Sequence, residues 1–512
     1  MTLSFLDAAR ETPRALAFVG PAEAITYASF AERIRLEMER LDERMRQEME
    51  RLDERATPRA ALSPRPTIDS LARLVALVEM RRPTALLHPR LSAAERRARL
   101  ELAAPIFDAD EGRLVPPRGD AQRRADEPLG VIDVARRGLD VARGGLDVAR
   151  GGAATDDGGD EWPLAIVFTS GTTGAPKGIV LPRRSFLASA AMSAERFGWR
   201  DDDRWLLCLP LAHVGGLSVV TRSLLARKPV VLARSSAPRD IAAALDDGRA
   251  TLASFVPAQL ARLFRELPEW RAPRALRMAL VGGAGASPAL VAEAERRGVP
   301  VFTSYGLTET CSQVATRLPG DPPDRLAPLP GVRLRIVGGR IEIASPSLAA
   351  GFFPADPAAP EFAPGGWLRT RDRGRLDERG RLTTLGRADD VIVTGGENVD
   401  PLVVERALEE APEIAAALVF PLPDPVFGQI VAAALVPRVA DAAEATVAAA
   451  AEAAVAAAAE AAVAAAERAA AALAPHERPR AFAVAAELPH NAVGKLDRRA
   501  AARLFAADAR RA

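Results

Sequence analysis

The sequence predicts an α/β protein with a smaller α+β module at its C-terminal end. Short, continuous apolar runs alternate with helical patterns as far as about residue 302. From Gly331 onward, apolar and polar residues alternate along the chain, a pattern typical of β-strands. Continuous apolar runs are typical of strands that are covered on both faces. Because 512 residues are too many for one ordinary domain, we expect at least two structural units.

The elements follow in chain order. Apolar runs predict strands at residues 164–168, 204–209, 229–233, 252–256, 278–281 and 299–302. Helical patterns at residues 238–247 and 287–297 separate some of these runs. Alternating strands are predicted at residues 332–337 and 340–343. We place an N-terminal domain at residues 1–386 and a C-terminal domain at 387–512, with a hinge near residues 386–389.

Composition excludes several classes of protein. The chain has 68 Lys and Arg residues and 67 Asp and Glu residues, which gives a net charge of +1. The net charge therefore provides no long-range attraction to nucleic acid or to an anionic membrane. Cys208 and Cys311 form neither a metal pattern nor a disulfide framework, which favours a reducing compartment. The N-terminus lacks a signal-peptide pattern. Since glutamates also interrupt the alanine-rich stretch near the C-terminus, we expect a cytoplasmic protein without membrane insertion, and leave a homo-oligomer open.

Repeated segments interrupt the pattern. Residues 37–44 recur at 48–55, which predicts a charged, solvated helix. Glycine-rich repeats at residues 131–160 predict a flexible surface loop, and the alanine-rich stretch at 442–472 predicts a long exposed helix. Partner binding is an alternative for each segment, but expansion of a low-complexity sequence without a function is favoured.

A glycine- and threonine-rich loop follows the strand predicted at residues 164–168. It reads Thr-Ser-Gly-Thr-Thr-Gly-Ala-Pro-Lys-Gly, residues 169–178. Glycines let backbone N–H groups approach an anion, while the hydroxyls and Lys177 add donors and positive charge. The loop is not a Walker loop, because Ala175 and Pro176 separate Gly174 from Lys177. A surface turn is the alternative, and phosphate binding is favoured.

Further motifs follow this loop in order. They are Ser-Tyr-Gly-Leu-Thr-Glu-Thr at 304–310, Gly-Trp-Leu-Arg-Thr-Arg-Asp at 366–372, Gly-Arg-Ala-Asp-Asp-Val-Ile-Val-Thr-Gly-Gly at 386–396, and Leu-Pro-His-Asn-Ala-Val-Gly-Lys at 488–495. With the loop, they resemble the acyl-adenylate-forming (AMP-binding) superfamily, which includes acyl- and aryl-CoA ligases. The resemblance implies the adenylate-forming fold: two α/β subdomains and a small β-barrel, followed by a mobile α+β domain.

The resemblance also implies which residues contact the nucleotide. These ATP- and AMP-binding residues are Thr169, Ser170, Gly171, Thr172, Thr173, Gly174, Lys177, Gly283, Ala284, Tyr305, Gly306, Thr308, Asp372 and Arg387. Within this set, Tyr305 is implied to stack on adenine and Thr308 to contact the α-phosphate. Asp372 and Arg387 are implied to bind the ribose hydroxyls, although Asp372 alone also suits a surface ion pair. Glu309 is implied to bind Mg²⁺, the hard cation that carboxylate oxygen prefers.

Lys495 resembles the family lysine that reaches the reacting carboxylate and phosphate. A positioned ammonium there stabilises the charge that develops in the transition state; a solvated surface lysine is the alternative. Asp389 is implied to be the hinge, about which the C-terminal domain exchanges Lys495 for the loop with Gly395 and Gly396. That loop is then expected to border the channel for coenzyme A, the second co-substrate beside ATP.

The acid substrate depends on a different set of residues. Residues 209–217, Leu-Pro-Leu-Ala-His-Val-Gly-Gly-Leu, resemble the family's acyl-site motif, with His213 near the carboxylate and Ala212 in place of the usual aromatic residue. Residues 213–217, residues 305–313 and Gly-Gly-Glu-Asn at 395–398 together most resemble the o-succinylbenzoate–CoA ligases of menaquinone biosynthesis. Ser312 and Gln313 are candidates for hydrogen bonds to the substrate. The substrate of these ligases has a second carboxylate, for which Arg222 is a candidate partner. A helix-surface arginine is the alternative.

Other functions share these motifs. An aryl- or fatty-acyl-CoA ligase has the same catalytic residues, implied here to be Lys495, His213 and Glu309. A non-catalytic acyl-adenylate-binding protein is an alternative of another class, disfavoured because Glu309, Asp372 and Lys495 are all present.

Overall fold

The computed structural model describes residues 3–51, 59–103, 106–115, 159–170, 176–247, 250–318, 320–322, 324–353, 362–363, 365–438, 448–490, 496–506 and 510–511. The chain divides into two compact units. The first comprises Met1–Gly283, Glu293–Leu334 and Glu342–Arg369, and the second comprises Ala284–Ala292, Arg335–Ile341 and Thr370–Ala512. The domain boundary and hinge at residues 386–389 stay predictions.

The strands up to residue 353 are β1 (Leu16–Val19), β2 (Ala24–Thr26), β3 (Arg59–Leu62), β4 (Thr84–Leu86), β5 (Ile106–Asp108), β6 (Arg113–Val115), β7 (Pro163–Ser170), β8 (Pro176–Pro182), β9 (Trp205–Leu207), β10 (Val230–Leu232), β11 (Leu252–Phe255), β12 (Met278–Val281), β13 (Val301–Leu307), β14 (Ser312–Thr316), β15 (Ala327–Pro328), β16 (Arg333–Val337), β17 (Arg340–Ala344) and β18 (Gly351–Phe353). The later strands are β19 (Phe362–Ala363), β20 (Trp367–Leu376), β21 (Leu382–Arg387), β22 (Ile392–Thr394), β23 (Glu397–Val399), β24 (Ile414–Asp424), β25 (Gly428–Pro437), β26 (Ala481–Val484) and β27 (Arg510–Arg511).

The α-helices are α1 (Phe5–Glu11), α2 (Tyr27–Arg51), α3 (Ile68–Glu79), α4 (Ala93–Ala103), α5 (Arg183–Phe197), α6 (Val214–Leu225), α7 (Pro238–Asp246), α8 (Pro257–Glu266), α9 (Pro288–Arg296), α10 (Pro401–Glu409), α11 (Ala448–Ala470) and α12 (Arg498–Phe505). Short 3₁₀ turns lie at Gly159–Glu161, Thr308–Thr310 and Ala388–Asp390. Local chemistry accounts for several starts: the side chain of Thr67 accepts from Ser70 N at the start of α3, and Asp400 with Pro401 begins α10.

A nine-stranded sheet lies in the first unit, in the order β15-β14-β13-β12-β11-β9-β10-β1-β2. Its central strands pair in parallel, whereas β2, β14 and β15 pair antiparallel at the ends. The predicted strands from residue 204 to residue 302 are β9 to β13 of this sheet. Central strands β9, β11 and β12 are buried along their whole length, as their continuous apolar runs predict.

A seven-stranded sheet, also in the first unit, has the order β18-β8-β7-β4-β3-β5-β6. Strands β5, β3, β4 and β7 pair in parallel, and β6 and β8 pair antiparallel to them. The strand predicted at residues 164–168 is the centre of β7. With the nine-stranded sheet, this arrangement confirms the predicted α/β class.

The second unit contains a four-stranded sheet in the order β24-β25-β26-β27. Helices α10 and α11 pack on it, and their apolar residues join β24 and β25 in one buried cluster. Strands β22 and β23 form a separate two-stranded ribbon. The mixture of helices with a largely antiparallel sheet fits the predicted α+β module.

Where they are described, the predicted repeat helices are helices, and they are more buried than predicted. Helix α2 is charged, but Ile34, Leu41 and Met45 on one face are at most 3% exposed. Helix α11 is not an exposed helix, because Ala462 and Ala466 are fully buried; that prediction was wrong. Residues 131–158 of the predicted loop lie outside the described residues. No described helix is long and apolar enough to span a bilayer.

Candidate active site

The phosphate loop connects the ends of two paired strands. Thr169 on β7 is the register partner of Lys177 on β8, and its hydroxyl donates to Lys177 O at 3.4 Å. Gly171, Thr172, Thr173 and Gly174 lie outside the described residues. The element after the loop is a strand, whereas a Walker loop opens a helix. The structure therefore agrees with the absence of the Walker spacing.

The side chain of Lys177 lies against an aromatic ring. Its Nζ is 3.3 Å from the centroid of the Phe352 ring on β18, a cation–π contact. Gly178 allows β18 to approach β8 closely, since a Cβ atom there would lie 2.8 Å from Ile166 Cγ2 and 3.2 Å from Phe353 O. This glycine serves the packing of β18 on β8, a role different from the anion contact predicted for the loop's glycines.

The predicted adenine and magnesium motif forms a tight turn between β13 and β14. Gly306 faces Gln313 across the hairpin, and a Cβ atom at Gly306 would lie 2.1 Å from Ser312 O. Only glycine fits that approach. Leu307 N donates to Thr310 Oγ1 at 2.9 Å, and Cys311 and Ser312 have φ values of 51° and 100°. Positive φ in non-glycine residues stores backbone strain, which is common at functional sites.

The magnesium motif and the phosphate-loop strand are neighbours. The turn Thr308–Thr310 contacts β8. A short segment also joins them: Ala349 N donates to Glu309 O at 2.8 Å, and Ala350 N donates to Val180 O on β8 at 2.9 Å. Thr308 and Glu309 are half-buried. Strand β8, which carries Lys177, therefore lies next to the turn that carries Glu309, and the roles implied for these two residues stay predictions.

Glycines also follow β12, at the same edge of the sheet as this turn. A Cβ atom at Gly282 would lie 2.5 Å from Ser304 Oγ, and Gly283 has a φ of 81°. Tyr305, which follows Ser304 on the adjacent strand, is half-buried. Ala284, which with Gly283 is among the residues implied to contact the nucleotide, falls in the second unit. Ligands of open α/β sheets bind at the carboxyl ends of such strands.

His213 lies after β9 at this same edge and caps α6. Gly216 is required here, because a Cβ atom would lie 2.4 Å from Pro210 O. The His213 ring lies against the ring of His88, with centroids 5.4 Å apart. Arg90 N donates to His88 Nδ1 at 3.1 Å, and burial, aided by the charge of Arg90, lowers the pKa of His88.

His88 is a neighbour of His213 that the sequence did not indicate. It follows β4 of the seven-stranded sheet, far along the chain from residues 209–217, and no motif links it to them. A histidine next to a short buried strand is the only local signal. Its contact with His213 becomes visible once the two sheets are placed.

Arg222 is a buried cation on α6. It is 2% exposed, and its Nη2 donates to Ser189 Oγ at 3.1 Å, while Nε has no hydrogen-bond partner among the described residues. Burial lowers its pKa to about 10, so it is still charged at neutral pH. The alternative of a helix-surface arginine is wrong. Unpaired buried charges are costly, which suits a residue that awaits an anionic ligand.

Gln313 supplies further unpaired polar atoms. It is 3% exposed on β14, which packs against α6, and neither atom of its amide has a hydrogen-bond partner in the described part of the chain. Ser312, its predicted companion, is half-buried in the strained turn. Burial raises the pKa of the Cys311 thiol to about 12, and the nearby positive charge of Arg222 opposes that rise. Arg222 and the β14 turn therefore share one buried polar region.

In the second unit, Asp372 and Arg387 are register partners on β20 and β21. Arg387 Nη1 is 3.4 Å from Asp372 Oδ1, and Asp372 is 9% exposed. Asp372 is thus in an ion pair, as in the alternative interpretation, with its own carboxylate buried and Arg387 exposed; binding of the ribose hydroxyls stays a prediction. Asp372 N also donates to Thr370 Oγ1 at 3.1 Å, which fixes the backbone below the carboxylate.

The predicted hinge and coenzyme A loop follow in the same unit. Asp389 is in the 3₁₀ turn and lies 3.1 Å from Arg371 Nη1. Gly395 and Gly396, with φ values of 58° and 89°, form the turn between β22 and β23. Gly395 N donates to Phe427 O at 3.0 Å, which ties this turn to the beginning of β25. Lys495 lies outside the described residues.

Comparisons with known proteins agree with this geometry. The AMP-binding enzyme family matches residues 5–347. A 2-succinylbenzoate–CoA ligase of Bacillus mycoides (strain KBAB4) is 34% identical over 353 residues, 66% of this chain and 69% of that protein. The o-succinylbenzoate CoA synthetase (MenE) of Bacillus subtilis, solved with the acyl-adenylate OSB-AMP, is 26% identical with a TM-score of 0.73, over 97% of this chain and 96% of that one. The same synthetase, solved with ATP and magnesium ion, is 25% identical with a TM-score of 0.72, over 97% of this chain and 98% of that one.

Proposed function

The chain belongs to the AMP-binding enzyme family, and from this membership we propose that it joins o-succinylbenzoate to coenzyme A through an acyl-adenylate. It is an AMP-forming acid–thiol ligase that uses ATP, Mg²⁺ and coenzyme A. The similarity to a synthetase solved with its acyl-adenylate, over 97% of this chain, carries the proposal. A role in menaquinone biosynthesis follows from that substrate.

In the first half-reaction, a carboxylate oxygen of the acid attacks the α-phosphorus of ATP. A new O–P bond forms, the bond to the β-phosphate oxygen breaks, and pyrophosphate leaves. Lys177 and the hydroxyls of Ser170, Thr172 and Thr173 hold the triphosphate, and Thr308 binds the α-phosphate. Lys495 approaches the reacting oxygens, where preorganised positive charge stabilises the transition state.

Glu309 suits a magnesium ion that is shared with ATP. No cluster of three or more metal-binding side chains occurs among the described residues. Mg²⁺ is commonly held by one or two carboxylates together with substrate phosphates, so one half-buried glutamate beside the phosphate-loop strand is sufficient. The ion supplies charge neutralisation to the phosphates when it is bound.

In the second half-reaction, the thiol of coenzyme A attacks the carbonyl carbon of the adenylate. A C–S bond forms as the thiol proton is released to solvent, the bond between the carbonyl carbon and the phosphate oxygen breaks, and AMP leaves with the electron pair. Rotation about Asp389 brings the turn with Gly395 and Gly396 to the thiol channel, and removes Lys495 from the site. Such rearrangements are a common way to separate reaction steps.

The dicarboxylate nature of the substrate matches the buried region around Arg222. One carboxylate reacts near His213, so the other has to be bound elsewhere. Arg222 and Gln313 together offer a charged donor and a neutral amide, both with unpaired atoms in the described structure. A guanidinium binds a carboxylate with strong, charge-assisted hydrogen bonds. A benzoate or a fatty acid leaves those atoms unpaired.

An assay on a panel of acids tests the substrate. Purified enzyme with ATP, Mg²⁺ and coenzyme A is given o-succinylbenzoate, benzoate, coumarate or octanoate, and thioester formation is measured. We expect kcat/KM for o-succinylbenzoate to exceed the others by about a hundredfold or more, as expected where buried polar groups are left unpaired by the wrong substrate. Equal values across the panel would favour a general aryl- or fatty-acyl-CoA ligase.

The cytoplasmic location stays a prediction, and so does the choice between a monomer and a homo-oligomer. Cys208 and Cys311 are both buried and free, which is consistent with a reducing compartment. Small molecules are the proposed partners, namely the acid, ATP and coenzyme A.

A further inference from the structure

One short segment of the first unit holds two successive carbonyl groups of the Thr308–Thr310 turn. This segment, residues 345–350, directly precedes β18. Ala349 N donates to Glu309 O at 2.8 Å, and Ser347 Oγ donates to Thr310 O at 2.9 Å. Because the two carbonyl groups belong to neighbouring residues, these bonds fix the orientation of two consecutive peptide groups that begin at Glu309.

The Ser347 side chain is fully buried and is oriented by a second serine. Ser347 is 0% exposed, and its Oγ lies 2.9 Å from Ser345 Oγ. A hydroxyl group has one proton to donate. Because Ser347 donates that proton to Thr310 O, Ser345 is the donor between the two serines. Ser347 N donates in turn to Ser345 Oγ at 3.2 Å, so the hydrogen bonds of this chain strengthen one another.

The same segment is attached to the start of α5. Ser185 Oγ and Arg184 Nη1 both donate to Leu348 O, each at 2.7 Å. Ala350 N donates to Val180 O on β8 at 2.9 Å, and α5 begins directly after β8. Residues 345–350 therefore connect the turn to β8 and to α5 through hydrogen bonds on both sides.

The backbone at the end of the turn is strained. Cys311, the next residue, has a φ of 51°. Leu307 N donates to Thr310 Oγ1 at 2.9 Å, and that hydroxyl is 2.7 Å from Ser312 O. Strained conformations persist only where the surrounding contacts hold them. The Thr310 hydroxyl supplies such contacts from within the turn, and Ser347 supplies one from outside it.

We propose that Ser347 is a positioning residue for Glu309, which sets the place of the Glu309 carboxylate through the backbone of the turn. This role rests on the proposed function, in which Glu309 binds the Mg²⁺ that is shared with ATP. Mg²⁺ requires nearly octahedral geometry with oxygens at about 2.0–2.1 Å, so a small shift of the carboxylate weakens its bond to the ion. Loss of a group that orients a metal ligand typically lowers metal affinity about tenfold to a hundredfold.

The contribution of the ion to nucleotide binding is the quantity to measure. The probe is α,β-methylene-ATP, an ATP analogue that cannot release pyrophosphate. Its dissociation constant for the full-length enzyme is determined by calorimetry, once with saturating Mg²⁺ and once with EDTA. We expect the gain in affinity from Mg²⁺ to fall about tenfold in Ser347→Ala, with the affinity in EDTA within about twofold of wild type. A residue that only stabilises the fold would change both affinities alike.

Glu309→Gln gives the reference for loss of the carboxylate. It should reduce the gain from Mg²⁺ at least as far as Ser347→Ala does. Ser347→Ala should add no further loss in the Glu309→Gln background, because residues that act as a unit are not additive. Ser345→Ala keeps the Ser347 hydroxyl and removes the group that orients it, so it should reduce the gain less than Ser347→Ala does.

Thr84→Val is the matched control. Thr84 is 0% exposed at the start of β4 in the same unit, and its hydroxyl donates to Arg82 O at 2.7 Å. The variant therefore also removes one buried hydrogen bond from a hydroxyl to a carbonyl group. It should lose a similar amount of stability and keep the wild-type gain in affinity from Mg²⁺.

Three results would overturn the proposal: a wild-type gain from Mg²⁺ in Ser347→Ala, an equal loss of affinity with Mg²⁺ and with EDTA, or a full additional loss in the Glu309→Gln background. If Ser347→Ala does not fold, a wild-type gain in Ser345→Ala decides against the positioning role. If Glu309→Gln itself keeps the gain, Glu309 is not the magnesium ligand and the positioning role fails with it, whereas the preference among acids is tested separately by the substrate panel.

Discussion

At the scale of single residues, Arg222 shows a conflict between stability and binding. Its guanidinium is 2% exposed, and Nε lacks a partner among the described residues. Replacing a buried charge by an apolar side chain of similar volume is often neutral or stabilising. A residue that costs stability in the free protein and gains a partner on binding is typical of a site built for an anion.

Arg222→Met tests that conflict directly. We expect kcat/KM for o-succinylbenzoate to fall about tenfold to a hundredfold, because hydrogen bonds to a charged group contribute ~1.5–3 kcal/mol. The melting temperature should stay equal or rise. Activity on an acid with a single carboxylate should change far less. The measurements are initial rates on both acids and thermal unfolding.

Arg265→Met on the exposed face of α8 is the control for the loss of an arginine. It should leave the preference between the two acids unchanged and change stability by about 0.5 kcal/mol or less, as is usual for an exposed side chain. A loss of melting temperature in Arg222→Met, with the preference between acids retained, would identify Arg222 as a structural residue.

The same residues show what sequence could and could not predict. Arg222 and Gln313 belong to or follow recognisable motifs, and hydrogen-bond chemistry made them candidates before any coordinates were known. Their burial was not predictable, because a single arginine on an apolar helix gives no sign of which face it occupies. His88 carries no motif, and its contact with His213 depends on long-range packing.

At the scale of elements, the strands were predictable and the packed faces of the repeat helices were not. The parallel strands β9 to β12 are short apolar runs that water cannot reach. By contrast, an alanine-rich helix has almost the same composition on every face, so sequence periodicity does not identify its buried side. Only the packing of α11 onto the second unit's sheet distinguishes Ala462 and Ala466 from their exposed neighbours.

A pair of substitutions on α11 tests whether this helix is part of the core. Ala466 is fully buried, and Ala464 is exposed two residues earlier on the same helix. Ala466→Glu should destabilise the second unit by several kcal/mol, roughly 3 or more, because it buries an unpaired carboxylate and overpacks the cluster. Ala464→Glu should change stability by about 0.5 kcal/mol or less.

Amide hydrogen exchange of β25, against which α11 packs, gives the measurement for both variants. Similar exchange in Ala466→Glu and Ala464→Glu would show that the helix leaves the sheet in solution. The alanine-rich repeat would then be the low-complexity addition that its sequence favours.

At the scale of the whole molecule, the order of the motifs predicted the family and its fold. The dependence of stability on pH was not predictable in the same way, because it depends on the burial of single carboxyl groups. Glu409 at the end of α10 is partly buried, and burial raises the pKa of its carboxyl from 4.5 to about 7. The neighbouring Glu405 adds to this, whereas the hydrogen bond from Ala417 N, at 3.1 Å, favours the charged form. No feature of the sequence distinguishes Glu409 from the exposed Glu410.

The direction of the pH effect follows from that raised pKa. The folded chain holds the Glu409 proton up to a pH of about 7, whereas the unfolded chain releases it above about 4.5. Folding is therefore favoured most below pH 4.5, and this contribution is lost as the pH rises through 7. The shift corresponds to ~3 kcal/mol at most, and exposure to solvent reduces it to roughly 1–2 kcal/mol.

Glu409→Gln should remove that part of the pH dependence. The free energy of opening of β24, measured by amide hydrogen exchange at pH 5 and pH 8 and corrected for the intrinsic rates, reports on this unit alone; a thermal midpoint of the two-unit chain would not. We expect the wild type to lose roughly 1–2 kcal/mol more than Glu409→Gln between those values. Glu410→Gln should behave as wild type. The same pH dependence in wild type and Glu409→Gln would mean that the Glu409 carboxyl is already ionised in the folded chain at pH 5, with water reaching α10 at its C-terminal end.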